Sequence, residues 1–150
     1  AEYLRAQLVV ALAGRASEKV FLDSVSSGAD DDIQRATRLA RAMVARWGMS
    51  DEIGPIDLRA SDEHPFLGRD LALPRAFADA TEAKVDAVVA KLLRAAEADA
   101  IGLIEGARAG VERLIARLEA EESLALDDIT ACLEAPGAKA QPVVGGAAAP

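Results

Sequence analysis

Leu4, Leu8, Leu12, Ala16 and Val20 recur at every fourth position, and Val9 and Phe21 widen the stripe they draw. Apolar residues at this spacing share one face of an α-helix, so residues 1–22 are predicted to form an amphipathic helix that needs an apolar partner. The pattern returns downstream. Val85, Val88, Val89, Leu92, Leu93 and Ala96 mark the longest helix, which starts between Pro74 and Thr81 and fades near Gly102 to Gly110. Val111, Leu114, Ile115 and Leu118 mark a fourth, and Leu126, Ile129, Cys132 and Leu133 a short fifth opened by Asp127 and Asp128. No run alternates with period two for long, alanine and leucine dominate, and only 3% of residues are aromatic. The chain is therefore read as all-α, a helical bundle of about five helices around an aliphatic core. At 150 residues, 51% of them apolar, it can bury one compact core.

The second helix carries the chemically suggestive segment. Ser24 to Ala29 is turn-forming, Asp30 is expected as the N-cap, and the apolar face is Ile33, Ala36, Ala40, Met43, Val44 and Trp47, ended by Gly48. Three aspartates, Asp30, Asp31 and Asp32, fall where the first N–H groups of a helix are unpaired and its dipole is positive. Asp31 and Arg35 have the spacing of an i,i+4 pair, and Arg38 and Arg41 extend a solvated basic edge. A carboxylate fixed at a helix start can serve as a metal ligand. Spacing alone favours a plainer use as cap and first-turn acids.

Charge and composition exclude other functions. Seventeen Lys and Arg against 25 Asp and Glu leave a net charge of −8, which repels phosphate backbones and anionic lipid. Nucleic-acid binding and direct membrane contact are not expected. No stretch of about 18 apolar residues could span a bilayer, and no signal peptide is evident. The chain starts at Ala1 and enters a helical pattern within a few residues, as a segment of a longer protein would. Cys132 has no cysteine partner and sits among apolar residues, which suits a buried thiol in a reducing, intracellular setting. The single histidine, His64, lies beside Pro65 in an irregular stretch from Ser50 to Pro74, a loop of the kind that borders a site. One imidazole cannot supply two ligands, so His64 is read as exposed or locally bonded. After Pro136 the chain has no pattern that could bury surface, and residues 135–150 are expected to be a disordered tail.

Several segments together resemble a known family. Ala13-Gly14-Arg15-Ala16-Ser17-Glu18, Ser26-Ser27-Gly28-Ala29-Asp30-Asp31-Asp32-Ile33, Ala36-Thr37-Arg38-Leu39-Ala40-Arg41-Ala42-Met43-Val44, Trp47-Gly48-Met49-Ser50 and Gly54-Pro55 look like the peptidase domain of FtsH-type ATP-dependent zinc metalloproteases. Phe66-Leu67-Gly68-Arg69, Val85-Asp86 with Val89, and Glu122-Ser123-Leu124 with Ile129 are similar to its later helices. The resemblance covers residues 1–134 and is strongest over 13–55. Lys19 and Val88 stand where the family commonly has glutamate.

The resemblance implies a helical peptidase domain whose zinc is held by two histidines of a His-Glu-x-x-His helix and one aspartate. The matching aspartate here is Asp32, and the glutamate between the histidines would be the general base. Neither the histidines nor that glutamate occurs in this chain, so it is expected to hold no catalytic residue and no tight zinc site of its own. In the family these residues lie upstream, with an ATP-binding module and usually membrane-spanning segments. The implied partners are polypeptide substrates and further copies of the protein in a hexameric ring, on the cytoplasmic side. The alternative is a non-catalytic helical interaction or oligomerisation module that needs no metal.

Overall fold

The computed structural model describes residues 1–58 and 79–134. His64, most of the expected 50–74 loop and the expected tail at 135–150 lie outside the described residues. Among the described residues the chain is all-α, with five α-helices and no strand. The chain divides into two compact units, Ala1–Gly102 and the part from Leu103 onward.

The first unit begins with α1, Glu2–Leu22, which has an acid in its first turn and Lys19 in its last, both favourable to the helix dipole. Its stripe behaves as the fourfold spacing requires: Leu8, Leu12 and Ala16 are buried. The helix stops at Asp23, whose φ of 49° places it in the left-handed region. A single 3-10 turn, Ser27–Ala29, leads into α2, Asp30–Arg41. There the winding loosens into a π-helical turn over Ala42–Arg46. Trp47 N donates to Ala42 O, five residues back, at 3.0 Å, and Met49 N donates to Met43 O at 2.8 Å. Gly48 ends the element as expected, with a φ of 59°. A Cβ at Gly48 would lie 2.8 Å from Pro55 Cα, so a side chain is excluded by space as well as by conformation.

Helix α3 spans Asp79–Gly106 and contributes Val85, Val88, Val89 and Ala96 to one core with Leu8, Leu12, Ala36, Ala40, Met43 and Val44. Complete burial of a leucine or valine stabilises by roughly 1.5–3 kcal/mol, and alanines at 36 and 40 leave the larger chains room to pack. Two residues of the expected α2 face depart from this scheme. Trp47 is 43% exposed, and Ala45 is buried instead. The wide turn puts an extra residue into the winding, which carries Trp47 away from the core side. Ile33, in the first turn, is also partly exposed.

Beyond Leu103 the principal elements are α4, Arg108–Glu121, and α5, Leu126–Leu133, which pack together and are joined by a short turn. Gly110 and Cys132 are the buried residues of these two helices. Cys132 O accepts both Arg113 Nε at 3.1 Å and Arg113 Nη2 at 2.8 Å. Arg117 bridges Glu121 and Asp128, and Asp128 also accepts the Ala125 N–H at the start of α5. Those carboxylates push the Arg117 guanidinium further up, so it stays charged.

Candidate metal-ligand turn

The turn before α2 is built from two sides. Ser26 is extended, and its Oγ accepts the Gly28 N–H at 3.1 Å, capping the 3-10 turn. Ser26 is in turn held by Glu18 of α1: its N–H donates to Glu18 Oε2 at 2.8 Å and its hydroxyl donates to Glu18 Oε1. The Ser26 hydroxyl bond, followed by its backbone bond, keeps the Glu18 carboxyl below its ordinary range. Ala29 is buried and anchors the other side of the turn.

Asp30, Asp31 and Asp32 form the first turn of α2. Asp30 is not the N-cap expected from sequence; Ala29 holds that position, without a side-chain bond. The reason is the 3-10 turn: Asp30 N already donates to Ser27 O, so Asp30 takes helical angles of −60° and −49°. Arg35 approaches Asp32 rather than Asp31, with Nη1 3.9 Å from Oδ1. On a helix i+3 and i+4 neighbours are both in reach, and this pair is too exposed to contribute much. Asp32 keeps a half-exposed carboxylate, 45% accessible, at a fixed point of the backbone. One carboxylate is the donor a zinc site can use as a third protein ligand, but it is not a site by itself. Among the described residues no group of three His, Cys, Asp or Glu is arranged to hold a metal.

Sequence reasoning missed the ionic cluster beside this turn. Glu97 Oε1 of α3 receives Arg15 Nε and Lys19 Nζ of α1, both at 2.8 Å. The Lys19 bond is the leading cause holding the Glu97 carboxyl below its usual range, with Arg15 adding to it. Nothing local signals a pairing across some eighty residues of chain. Arg15, Glu97, Arg94, Leu12, Leu93 and Ile33 line a cavity of about 270 Å³ next to the aspartate turn. A larger cavity of about 430 Å³, floored by Leu8, Val44 and Val88, involves none of the three aspartates. Cys132 is buried and unpaired, with the core role expected of it.

The profile of Peptidase family M41 matches residues 1–132. The chain belongs to peptidase family M41. It is 53% identical over 133 residues to a protein of Hahella chejuensis named ATP-dependent zinc metalloprotease FtsH, covering 89% of this chain and 22% of that protein. It is 42% identical over 134 residues to FtsH 4 of Sphaerobacter thermophilus, covering 89% and 20%, and 40% identical over 127 residues to FtsH 1 of Rhodopirellula baltica, covering 85% and 19%. The M41 chain thus spans about a fifth of the length of the curated relatives it matches. These matches do not favour the alternative of a metal-free interaction module. Lys19 pairs with Glu97 in this M41 chain.

Proposed function

We propose that residues 1–134 are part of the peptidase domain of an ATP-dependent zinc metalloendopeptidase, that residues 135–150 are a tail, and that Asp32 is the chain's zinc ligand. The observation that carries this reading is a half-exposed carboxylate at a braced helix start, in a chain 53% identical over 133 residues to a zinc metalloprotease. In the longer protein two histidines and a glutamate general base come from a segment upstream of Ala1. Zinc, when bound, supplies Lewis acidity that activates water toward a peptide carbonyl.

The role of this chain is orientation. Asp32 presents its carboxylate from the first turn of α2, at the positive end of the helix dipole. Arg35, 3.9 Å away in an exposed pair, is too loosely held to keep the carboxylate from a metal. The substrate is an unfolded polypeptide delivered by an ATP-driven module, the ATP dependence being carried in the relatives' names. Self-assembly into a ring of six belongs to the same reading, and Tyr3, Val10 and Leu22, exposed on α1, support it by leaving apolar surface for further polypeptide. No helix of the described residues is long and apolar enough to cross a membrane, so anchoring of the parent, with this domain on the cytoplasmic side, would fall to other segments.

The test is Asp32→Ala in the full-length protein, with zinc measured by atomic absorption and hydrolysis followed on casein. Loss of most bound zinc together with proteolysis is expected. Retention of both would remove the ligand assignment.

A further inference from the structure

Arg15, Arg94 and Glu97 stand on the wall of the cavity of about 270 Å³, beside an apolar surface of Leu12, Leu93 and Ile33. Its charges do not balance. Glu97 Oε1 takes both Arg15 Nε and Lys19 Nζ at 2.8 Å, so one carboxylate answers two cations. Arg15 gives only its Nε to that bond, and its Nη1 and Nη2 have no acceptor among the described residues. Arg94, one turn before Glu97 on α3, is exposed and has no partner among the described residues. In a chain of net charge −8 this is a local excess of positive charge. Guanidinium nitrogens left over in this way match the two oxygens of a carboxylate, and the leucines and isoleucine beside them suit methylene groups. Volume decides between a free molecule and a side chain. Cavities for whole small ligands run from about 300 to 1,000 Å³, so this one is sized for a single side chain of something larger.

Ile33 directly follows Asp32, so the cavity wall and the carboxylate read as the zinc ligand rest on Cα atoms about 3.8 Å apart. An extended peptide advances about 3.3 Å per residue, which puts the cavity within a few residues of a bond cleaved at that metal. Resting on the reading of Asp32 as the zinc carboxylate, we infer that this cavity is a subsite for an acidic side chain of the polypeptide substrate, glutamate above all. Arg94 and the free nitrogens of Arg15 hold the incoming carboxylate, and its methylenes lie on Leu12, Leu93 and Ile33. Glu97 works against them. It draws Arg15 and Lys19 toward itself and so limits the positive charge left for a substrate. Selectivity is thus a balance between an internal carboxylate and an incoming one.

The test uses the full-length protein and a set of fluorescence-quenched peptides, amidated at the C-terminus and otherwise uncharged. A single glutamate is moved one position at a time along both sides of the cleaved bond, and each peptide is paired with its glutamine counterpart. At one position the glutamate peptide should be cleaved about tenfold better in kcat/KM, as one charge-assisted hydrogen bond in a half-screened setting allows. Arg94→Ala should reduce that ratio to about twofold or less, and Arg94→Glu should turn the preference toward a peptide carrying lysine at the same position. Glu97→Gln should raise the ratio about 2–5-fold, because it releases Arg15. Added salt should shrink the ratio, since the cavity is open to solvent. Arg38→Ala removes an exposed cation that does not line the cavity, and should leave the ratio as it is.

Equal cleavage of the glutamate and glutamine peptides at every position, with zinc lost in Asp32→Ala, would overturn the subsite and leave the ligand assignment intact. Zinc retained in Asp32→Ala would overturn the ligand assignment, and with it the placement of the subsite near the cleaved bond. A glutamate preference that survives Arg94→Ala, or that Arg38→Ala reduces as much as Arg94→Ala does, also overturns the inference, the second by tracing the effect to net charge. Should Arg94→Ala fail to fold, Glu97→Gln decides the matter, and a preference that stays level or falls there overturns the subsite.

Discussion

In the unit ending at Gly102, Leu8, Ala16 and Ala40 have no accessible surface, whereas in the helices α4 and α5 only Gly110 and Cys132 are buried. The first unit is held by an aliphatic core drawn from three helices. The α4–α5 pair is held by an arginine clasp: Arg113 on a backbone carbonyl and Arg117 between two carboxylates. The contrast separates two ways for a helical chain to close. A core tolerates the loss of a surface charge and suffers from a lost methyl group; a clasp does the reverse.

That contrast can be broken at its strongest point first. Leu8→Ala removes a wholly buried side chain and should cost about 2–5 kcal/mol, read from urea unfolding, with the core of the first unit lost and α4–α5 little affected. Gly110→Ala should cost about 1–3 kcal/mol. Its Cβ would meet Cys132 O at 3.1 Å and Leu133 Cα at 3.2 Å, both backbone atoms that cannot swing aside. Amide exchange should show α5 loosened and α1 unchanged.

A smaller effect sharpens the role of charge in the first unit. Glu97→Gln should lose on the order of 1 kcal/mol at neutral pH, because the half-screened carboxylate gives up two cationic partners. The Glu97 pKa is depressed in the folded state, so its stabilisation is present above the ordinary value of 4.5 and is lost as pH falls below it. The stability difference between Glu97→Gln and the parent sequence should accordingly shrink between pH 5 and more acid solution, in parallel urea titrations. The smallest change expected is a gain. Glu122 ends α4 at a φ of 59°, and Glu122→Gly should raise the melting temperature by an amount corresponding to about 0.5–1 kcal/mol.

Much of this architecture is legible in the sequence because apolar spacing reports helices directly. The buried positions Leu8, Leu12 and Ala16 of α1, and Val85, Val88, Val89 and Ala96 of α3, are the residues that the periodicity selects. The placement of Asp32 at a helix start was equally legible, from a glycine turn followed by acids. What escaped has physical reasons. A period of 3.6 presumes unbroken α winding, so it put Trp47 in the core and left out Ala45. Cap rules presume that the residue before a helix is free to be extended, and the 3-10 turn denied Asp30 that conformation. The link from Glu18 to Ser26 and the meeting of Arg15 and Lys19 with Glu97 depend on where α1 lies against its neighbours, which no local pattern encodes.

The loosened winding at Ala42–Arg46 reaches beyond the helix that contains it. In regular α winding the carbonyl of Ala45 would receive the N–H of Met49. Here Met49 bonds to Met43, and the Ala45 carbonyl is left to take the N–H of Leu58 at 2.7 Å. The helix has thus exchanged an internal bond for a mooring point. The path of the chain from Ser50 to Leu58 is written in the pitch of the element before it as much as in its own residues.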